Sequence, residues 1–256
     1  MKIQTIIKIV LIFIIIIASS YIFYFVGQIA EAKQESNLLN TIEVNKTDVT
    51  IVEVENNEDT PEITERMLQV QELQKENQDI VGWIEIPDTN INYPVLQGTD
   101  NEYYINHNYK HEKTSKGSIF LNKDYNWETP SCNLLIYGHN MKNGEMFQGL
   151  LNYSSKTYYQ EHPIIRFTTA NEDAEYEIMS AFKSRVYYKS EENVFRYYNF
   201  LDAETEEEYN NFVENAKTSS LYDTGISAQY KDPLITLITC SYHVQDGRFV
   251  VIGRKK

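Results

Sequence analysis

Three polar residues at the ends of apolar runs carry the groups needed for thiol chemistry. Cys240 closes an apolar, β-branched run that begins at Leu234, and Arg248 opens the next such run after a short polar turn. Two strands joined in this way form an antiparallel hairpin, in which Cys240 lies opposite Arg248 with Cα atoms ~4.5–5.5 Å apart. His139 ends a third apolar run, which begins at Asn133. A cysteine, a histidine and a fixed cation at strand ends are the components of a thiol acyl-transfer site.

The two cysteines each have a second interpretation. Taken alone, Cys240 is a small buried hydrophobic residue, which is the state of most free cysteines. The second interpretation of Cys132 is a disulfide with Cys240. However, Cys132 begins the run that His139 ends, so it would lie ~23 Å from that histidine along a strand. A disulfide needs Cα atoms within ~7 Å. A Cys132–Cys240 bridge and a site that joins His139 to Cys240 therefore exclude each other.

The sequence around these residues resembles the sortase family. The resemblance rests on Thr-Leu-Ile-Thr-Cys at 236–240, with Arg248 eight residues later, and on Tyr-Gly-His-Asn at 137–140. The stretch 79–95 and a helical insertion before the cysteine strand are similar to class B of the family. The resemblance covers about residues 62–256. It implies a membrane-anchored cysteine transpeptidase that cleaves a C-terminal sorting signal of surface proteins after Thr, through a thioacyl-enzyme.

The same resemblance assigns a role to each residue. Cys240 attacks the Thr carbonyl, and His139 protonates the leaving amine and then deprotonates the incoming one. Arg248 donates hydrogen bonds to the carbonyl or to the oxyanion that develops on it. His243, three residues from Cys240, is an alternative base, but the motif around His139 matches independently of the cysteine motif. The residues predicted to contact substrate are Thr239, Ser241 and Asn140.

The implied partners are surface proteins with an Asn-Pro-x-Thr-like or related sorting signal, and an amine of peptidoglycan, lipid II or a pilin. No cofactor, metal or nucleic acid is expected; the net charge of −14 disfavours nucleic acid. His107 and His111 lack the glutamate of a His-Glu-x-x-His zinc motif, and the glutamates of 204–208 suit a first helical turn without calcium. Two other functions stay open, a thiol peptidase that uses water and a non-catalytic anchored surface module.

The N-terminal region predicts an anchor. Residues 9–26 carry no charge and follow Lys2 and Lys8, which favours a transmembrane helix at 9–30 after a cytoplasmic tail at 1–8. A cleaved signal peptide is the alternative. An acidic stalk at 31–61 and a catalytic domain at 62–256 complete the predicted organisation. The predicted location is the cell membrane, as a single-pass protein with a cytoplasmic N-terminus and an extracellular catalytic domain.

The predicted fold is mainly β, a closed barrel of about eight short strands. A helix at 61–81 precedes it, and a second helix lies in the long insertion 187–230, where Thr205 and Glu208 form a capping box. A short helix is also expected at 141–151. For His139 to meet Cys240, their strands must be parallel and close together, which the family fold implies. The predicted strands are 83–86, 91–95, 117–121, 133–138, 164–169, 176–187, 234–239 and 249–252.

Overall fold

The structure is a computed structural model that describes residues 12–15, 17–20 and 63–256. The chain divides into two compact units, Met1–Glu53 and Val54–Lys256. The described residues of the first unit are helical and exposed. All of the strands described below belong to the second unit.

The predicted membrane anchor is not supported. No helix among the described residues is both long enough and apolar enough to cross a bilayer. This finding contradicts the predicted location of the chain as a single-pass membrane protein. The predicted tail at 1–8 and the acidic stalk at 31–61 lie outside the described residues.

Eight strands close into a barrel, as the sequence predicts. They are β1 (Ile80–Glu85), β2 (Asn92–Leu96), β3 (Ile119–Leu121), β4 (Asn133–Gly138), β5 (Ile164–Thr168), β6 (Asp173–Arg185), β7 (Leu234–Cys240) and β8 (Gly247–Lys255). Their order around the barrel is β1-β2-β3-β4-β7-β8-β6-β5. The β2–β3 and β4–β7 pairs are parallel, and the other neighbours are antiparallel.

Within residues 63–256, three α-helices lie outside the sheet, and two of them match the sequence analysis. They are α1 (Glu65–Glu76), α2 (Lys156–Glu161) and α3 (Glu206–Ser219). The insertion helix α3 begins with the predicted capping box, in which the Thr205 hydroxyl accepts from the Glu208 N–H and the Glu208 carboxylate accepts from the Thr205 N–H. This reciprocal pairing satisfies two donors that the first turn leaves free.

Helix α1 is shorter than predicted at both ends. Its N-cap is Thr64, whose side chain accepts from the Met67 N–H at 3.2 Å. It ends at Asn77, whose side chain donates to the Tyr109 carbonyl at 2.7 Å. Ile80 continues the apolar spacing of the helix but starts β1 instead, because pairing with β2 satisfies its backbone in the sheet.

The expected helix at 141–151 is replaced by a closed loop. Asn140 and Met146 form an isolated antiparallel bridge, and the Phe147 N–H donates to the His139 carbonyl at 2.9 Å. A 3₁₀-helix follows at Gln148–Ser154. The loop therefore returns directly onto the end of β4.

Two apolar clusters separate the inside of the barrel from its outer face. One cluster draws residues from all eight strands, among them Ile136, Leu237 and Val251, and fills the interior. The other takes alternate residues of four strands (β4, β6, β7 and β8), such as Ile238 and Val250, and packs them against α3 and the insertion. Because side chains alternate along a strand, these clusters assign each strand residue to one face.

Candidate active site

The parallel β4–β7 pair brings His139 and Cys240 to the same end of the barrel. The register pairs Gly138 with Thr239, and His139 and Cys240 are the next residues along each strand. A side chain at Gly138 would not fit, because a Cβ there would lie 2.7 Å from the Phe147 ring. His139 and Cys240 thus occupy corresponding positions on neighbouring parallel strands, as expected from the sequence.

The antiparallel β7–β8 hairpin places Arg248 beside the cysteine. Cys240 and Arg248 are direct partners in the register, as predicted from the spacing of the two runs. The loop between them is tight, since the Ser241 N–H donates to the Gly247 carbonyl at 2.9 Å. A Cβ at Gly247 would lie 2.1 Å from the Ser241 carbonyl oxygen, so this closure requires glycine.

All three residues have the strand parity of the outer face. On β7, Cys240 follows Ile238 by two residues, and on β8, Arg248 precedes Val250 by two; both neighbours belong to the outer cluster. On β4, His139 follows Tyr137, which packs on the same cluster. The candidate site therefore lies on the outside of the barrel, beside the insertion, and not at its interior. The two-residue alternation of side chains along a strand is the feature of the sequence that indicates this face.

The imidazole of His139 is oriented by a backbone carbonyl that the sequence analysis did not identify. Its Nε2–H donates to the Ile105 carbonyl at 2.8 Å. Because a carbonyl only accepts hydrogen bonds, this contact places the proton of the neutral ring on Nε2 and leaves the lone pair on Nδ1. Ile105 ends the 3₁₀-helix Tyr103–Ile105, which lies in an irregular loop without a periodic pattern.

Asn140 and the residues that flank Cys240 bond within the protein. The Asn140 amide donates to the Cys240 carbonyl at 2.9 Å. Thr239 is buried, and its hydroxyl donates to the Gly138 carbonyl at 2.8 Å. The buried Ser241 hydroxyl contacts Nδ1 of His243 at 2.9 Å. These contacts brace the strand end, while a role in substrate binding stays a prediction for Thr239, Ser241 and Asn140.

The guanidinium of Arg248 rests against its own loop. Its Nη1 donates to the Asp246 and Gly247 carbonyls at 3.2 and 2.9 Å. Burial raises the pKa of Tyr137 and of Tyr197, and in both cases the charge of Arg248 opposes that increase.

His243, the alternative base, lies in the exposed loop between β7 and β8. Burial of its ring is the first cause of a lowered pKa, and the charge of Lys183 is the second. Its Nδ1 is engaged with Ser241, whereas His139 ends the strand that pairs with the cysteine strand. The register therefore favours His139 over His243.

Cys132 lies at the opposite end of the same strand pair. The Leu234 N–H at the start of β7 donates to the Cys132 carbonyl at 2.7 Å, and six residue steps of ~3.3 Å separate that point from Cys240. Both cysteines are free thiols. Burial, and secondly the charge of Asp202, raise the pKa of Cys132 to about 12, so this thiol is almost entirely protonated at neutral pH.

The two histidines considered for metal binding have other partners. His107 stacks on Tyr103 with ring centroids 4.1 Å apart, and Nδ1 of His111 lies 3.3 Å from the Tyr103 hydroxyl. Within the part of the chain that the structure describes, no group of three or more metal-ligating side chains is assembled. Glu206 and Glu207 stand in the first turn of α3, as expected from the helix dipole.

Exposed apolar side chains concentrate around the candidate site. Nine large apolar residues are exposed within residues 63–256, and six of them lie in loops at the Cys240 end of the barrel. A cavity of about 670 Å³ lies instead at the other end, between the start of α1 and the β5–β6 turn. The six residues are Tyr103 and Ile105 on the His139 side, and Val186, Tyr188, Tyr242 and Val244 on the Arg248 side; we call them the apolar rim.

Comparisons with known proteins agree with the geometry. The family model described as Sortase domain matches residues 84–256. Two relatives named Sortase B, from Listeria monocytogenes and Staphylococcus aureus, are 35% and 32% identical over 188 residues, which is 73% of this chain and 73% and 74% of theirs.

Solved structures give the same result. A Staphylococcus aureus sortase B–substrate complex matches with a TM-score of 0.65 and 31% identity, covering 73% of this chain and 84% of that one. Clostridium perfringens sortase B matches with a TM-score of 0.66 and 29% identity, covering 73% and 98%. The chain belongs to the sortase family, in its class B, and is a cysteine transpeptidase that anchors surface proteins.

Proposed function

We propose that Cys240, His139 and Arg248 are the catalytic residues of this transpeptidase. The observation that carries the proposal is the register of three adjacent strands, which sets the three residues at one barrel end and on one face. A nucleophile, a base and a fixed cation are all that thioester-mediated acyl transfer needs from side chains. Cys132 supplies no alternative, because it lies at the opposite end of the β4–β7 strand pair from His139 and Cys240.

In the first half-reaction the Cys240 thiol gives its proton to His139, and its sulfur attacks the carbonyl carbon of the Thr in the sorting signal. The C–N bond of the scissile peptide breaks, and the leaving amine takes a proton from the His139 imidazolium. The products are a thioacyl-enzyme and the released C-terminal peptide. The hydrogen bond from Nε2 to Ile105 leaves Nδ1 as the nitrogen that exchanges this proton.

In the second half-reaction an amine nucleophile replaces the cysteine. The amine nitrogen attacks the thioester carbonyl carbon, the C–S bond breaks, and the neutral His139 ring takes the proton that the nitrogen loses. Arg248 donates to the carbonyl oxygen as negative charge develops on it in both halves. The Ser241 N–H donates to the Gly247 carbonyl within the hairpin, so the proposed oxyanion donor is Arg248.

The substrate is a sorting signal of the Asn-Pro-x-Thr type, and the nucleophile is an amine of peptidoglycan or lipid II. Support for a peptide substrate comes from the apolar rim, which flanks the site on both the His139 and the Arg248 side. Exposed apolar patches of this kind mark binding surfaces. A Staphylococcus aureus relative has been solved as a substrate complex.

The test is a mass-spectrometric search for the thioacyl-enzyme with a peptide that carries an Asn-Pro-x-Thr sequence. The adduct should form on Cys240, Cys240→Ala should abolish both cleavage and transfer, and Cys132→Ala, the matched control, should leave both rates unchanged. Product analysis with and without triglycine separates transfer from hydrolysis by water. Substantial activity in Cys240→Ala would contradict the assignment, and release of acid only, with triglycine present, would indicate a thiol peptidase.

A further inference from the structure

Tyr197 is a buried tyrosine whose hydroxyl lacks a partner. Its side chain is 0% exposed, and the hydroxyl makes no hydrogen bond with any residue that the structure describes. Other fully buried tyrosines are paired: the Tyr153 hydroxyl donates to the His162 carbonyl at 2.7 Å, and the Tyr209 hydroxyl donates to the Asp232 carbonyl at 2.6 Å. A buried hydroxyl without a hydrogen-bond partner makes the folded state less stable than a phenylalanine at the same position would. The packing of Tyr197 therefore does not explain why its side chain carries an oxygen.

Tyr197 lies on the same outer face as Arg248 and packs beside the next strand pair on that face, further from the end of the barrel. Its ring packs edge-on against Phe182 of β6, with centroids 5.6 Å apart. Phe182 pairs with Val250, and Ser184 pairs with Arg248, in the β6–β8 register. Tyr197 belongs to the outer cluster with both Phe182 and Val250. The charge of Arg248 also opposes the increase in the pKa of Tyr197 that burial causes.

The guanidinium of Arg248 has donors to spare. Both hydrogen bonds that it makes within the described residues leave from Nη1 and go to carbonyls of its own loop, at Asp246 and Gly247. A guanidinium carries five N–H donors in a planar fork. Its remaining donors can therefore bind a second group beneath the site while the opposite edge of the fork faces the substrate.

We propose that Tyr197 is a positioning residue for Arg248, and that its hydroxyl accepts a hydrogen bond from the guanidinium when substrate is bound. The Nη1 bonds to the loop carbonyls of Asp246 and Gly247 stay in place, and the added bond to Tyr197 fixes the plane of the fork toward the carbonyl oxygen at Cys240. The inference rests on the proposed role of Arg248 in oxyanion stabilisation. It assigns a use to a fully buried phenol that has no hydrogen-bond partner among the residues that the structure describes.

Tyr197→Phe in the full-length chain is the direct test, because it removes only the oxygen. We expect a melting temperature equal to or above that of the wild type, together with a loss of about tenfold in kcat and little change in KM. Tyr209→Phe is the matched control: it removes a paired hydroxyl, so the melting temperature should fall while kcat is kept. The substrate is an Asn-Pro-x-Thr peptide with triglycine as the amine.

A double-mutant cycle shows whether Tyr197 acts through Arg248. In an Arg248→Lys background the Tyr197→Phe change should cost nothing further, because lysine lacks the fork that the hydroxyl orients. An unchanged kcat in Tyr197→Phe, or an equal loss in the Arg248→Lys background, would overturn the inference. If Arg248→Lys itself keeps near wild-type activity, it is the proposed role of Arg248 in oxyanion stabilisation that fails, and the two failures are thus distinguishable.

Discussion

At the scale of single residues, position decides the chemistry of the two thiols. Cys132 donates weakly to the Leu201 carbonyl, with sulfur and oxygen 3.6 Å apart, and its pKa is raised to about 12 by burial and by Asp202. Cys240 stands at a strand end, half-buried and opposite Arg248. A thiolate is the nucleophile in thiol chemistry, so the raised pKa disfavours Cys132 as a nucleophile, and its place at the far end of the β4–β7 pair separates it from His139.

Arg248→Lys separates the charge of this residue from its geometry. Lysine keeps the positive charge but loses the planar fork, so its donors are not held in one plane that orients them toward the oxyanion. We expect a loss of at least ~10² in rate, mostly in kcat, by analogy with removal of one oxyanion donor. The melting temperature should change little, because Arg248 bonds only carbonyls of its own loop among the described residues. Steady-state kinetics and thermal melts measure both.

Arg254→Lys is the matched control for this change. Arg254 lies on the same strand at the far end and forms an ion pair with Glu177, so its replacement should affect stability and leave kcat unaltered. An Arg248→Lys enzyme within a few-fold of the wild type would reduce Arg248 to a general electrostatic role.

The sequence predicts some residues of the site well and others not at all. The Cys240–Arg248 pair follows from two β-branched runs and a short turn, whose register is a local property. The Ile105 carbonyl that orients His139 belongs to an irregular loop and is 34 residues away in the chain, so no pattern connects the two. Tyr197 was likewise not identified, because its unpaired hydroxyl is a property of the packed insertion.

At the scale of elements, the closed barrel and α3 were predictable, while helix boundaries and loop paths were not. The eight strands show apolar runs, and α3 carries a capping box in its sequence. The boundary between α1 and β1 was misplaced because Ile80 fits the apolar spacing of both elements, and only pairing with β2 decides between them. The loop after His139 was misplaced because its contacts with β4 are tertiary.

The turn that follows β6 is fixed by charge rather than by regular structure. Arg185 forms a two-bond ion pair with the Glu191 carboxylate, and the Tyr188 N–H donates to the same carboxylate at 2.6 Å. Arg196 donates to the Tyr188 and Glu191 carbonyls at 2.7 and 2.6 Å. We call these contacts of Arg185, Tyr188, Glu191 and Arg196 the clip. The clip holds two residues of the apolar rim, Val186 and Tyr188, on the Arg248 side of the site.

Acid should open this clip. The pKa of Glu191 lies below its ordinary value, first because of Arg185 and second because of the Tyr188 N–H. A depressed carboxylate pKa contributes stability above the unfolded value of about 4.3, and that stability is lost as the pH falls through the lower folded value. The NMR shift of the Tyr188 amide should therefore be constant down to about pH 4.3 and titrate below it.

Glu191→Gln tests the clip at constant pH. The variant should lose the acid titration of the Tyr188 amide and show a higher KM for the peptide with kcat nearly unchanged, because the rim is loosened while the catalytic residues stay in place. The adjacent, exposed Glu192→Gln is the control and should behave like the wild type. A Tyr188 titration that persists in Glu191→Gln would contradict this account.

At the scale of the whole molecule, closure of the barrel makes distant segments depend on each other. β1 pairs with β2 on one side and with β5 on the other, so it closes a sheet whose opposite side carries the site. Helix α1 in turn packs on β1: the Arg66 guanidinium lies 4.5 Å from the Trp83 ring centroid. Helix α1 and the start of β1 thus pack as part of the barrel unit, although the family match begins at residue 84.

Two fragments test where the catalytic domain begins. Residues 62–256 contain every strand of the barrel together with α1, and we expect this fragment to melt within a few degrees of the full chain and to keep its kcat/KM.

Residues 84–256 lack α1 and most of β1, and with them five buried side chains, Met67, Val70, Leu73, Ile80 and Trp83. Burial of five such side chains stabilises by about 8–15 kcal/mol in total, which matches the whole stability of a typical domain, about 5–15 kcal/mol. The shorter fragment should therefore show no cooperative thermal transition by circular dichroism and no transfer activity. A folded, active 84–256 fragment would mean that the barrel closes without β1, and an inactive but folded 62–256 fragment would mean that residues before 62 contribute to the site.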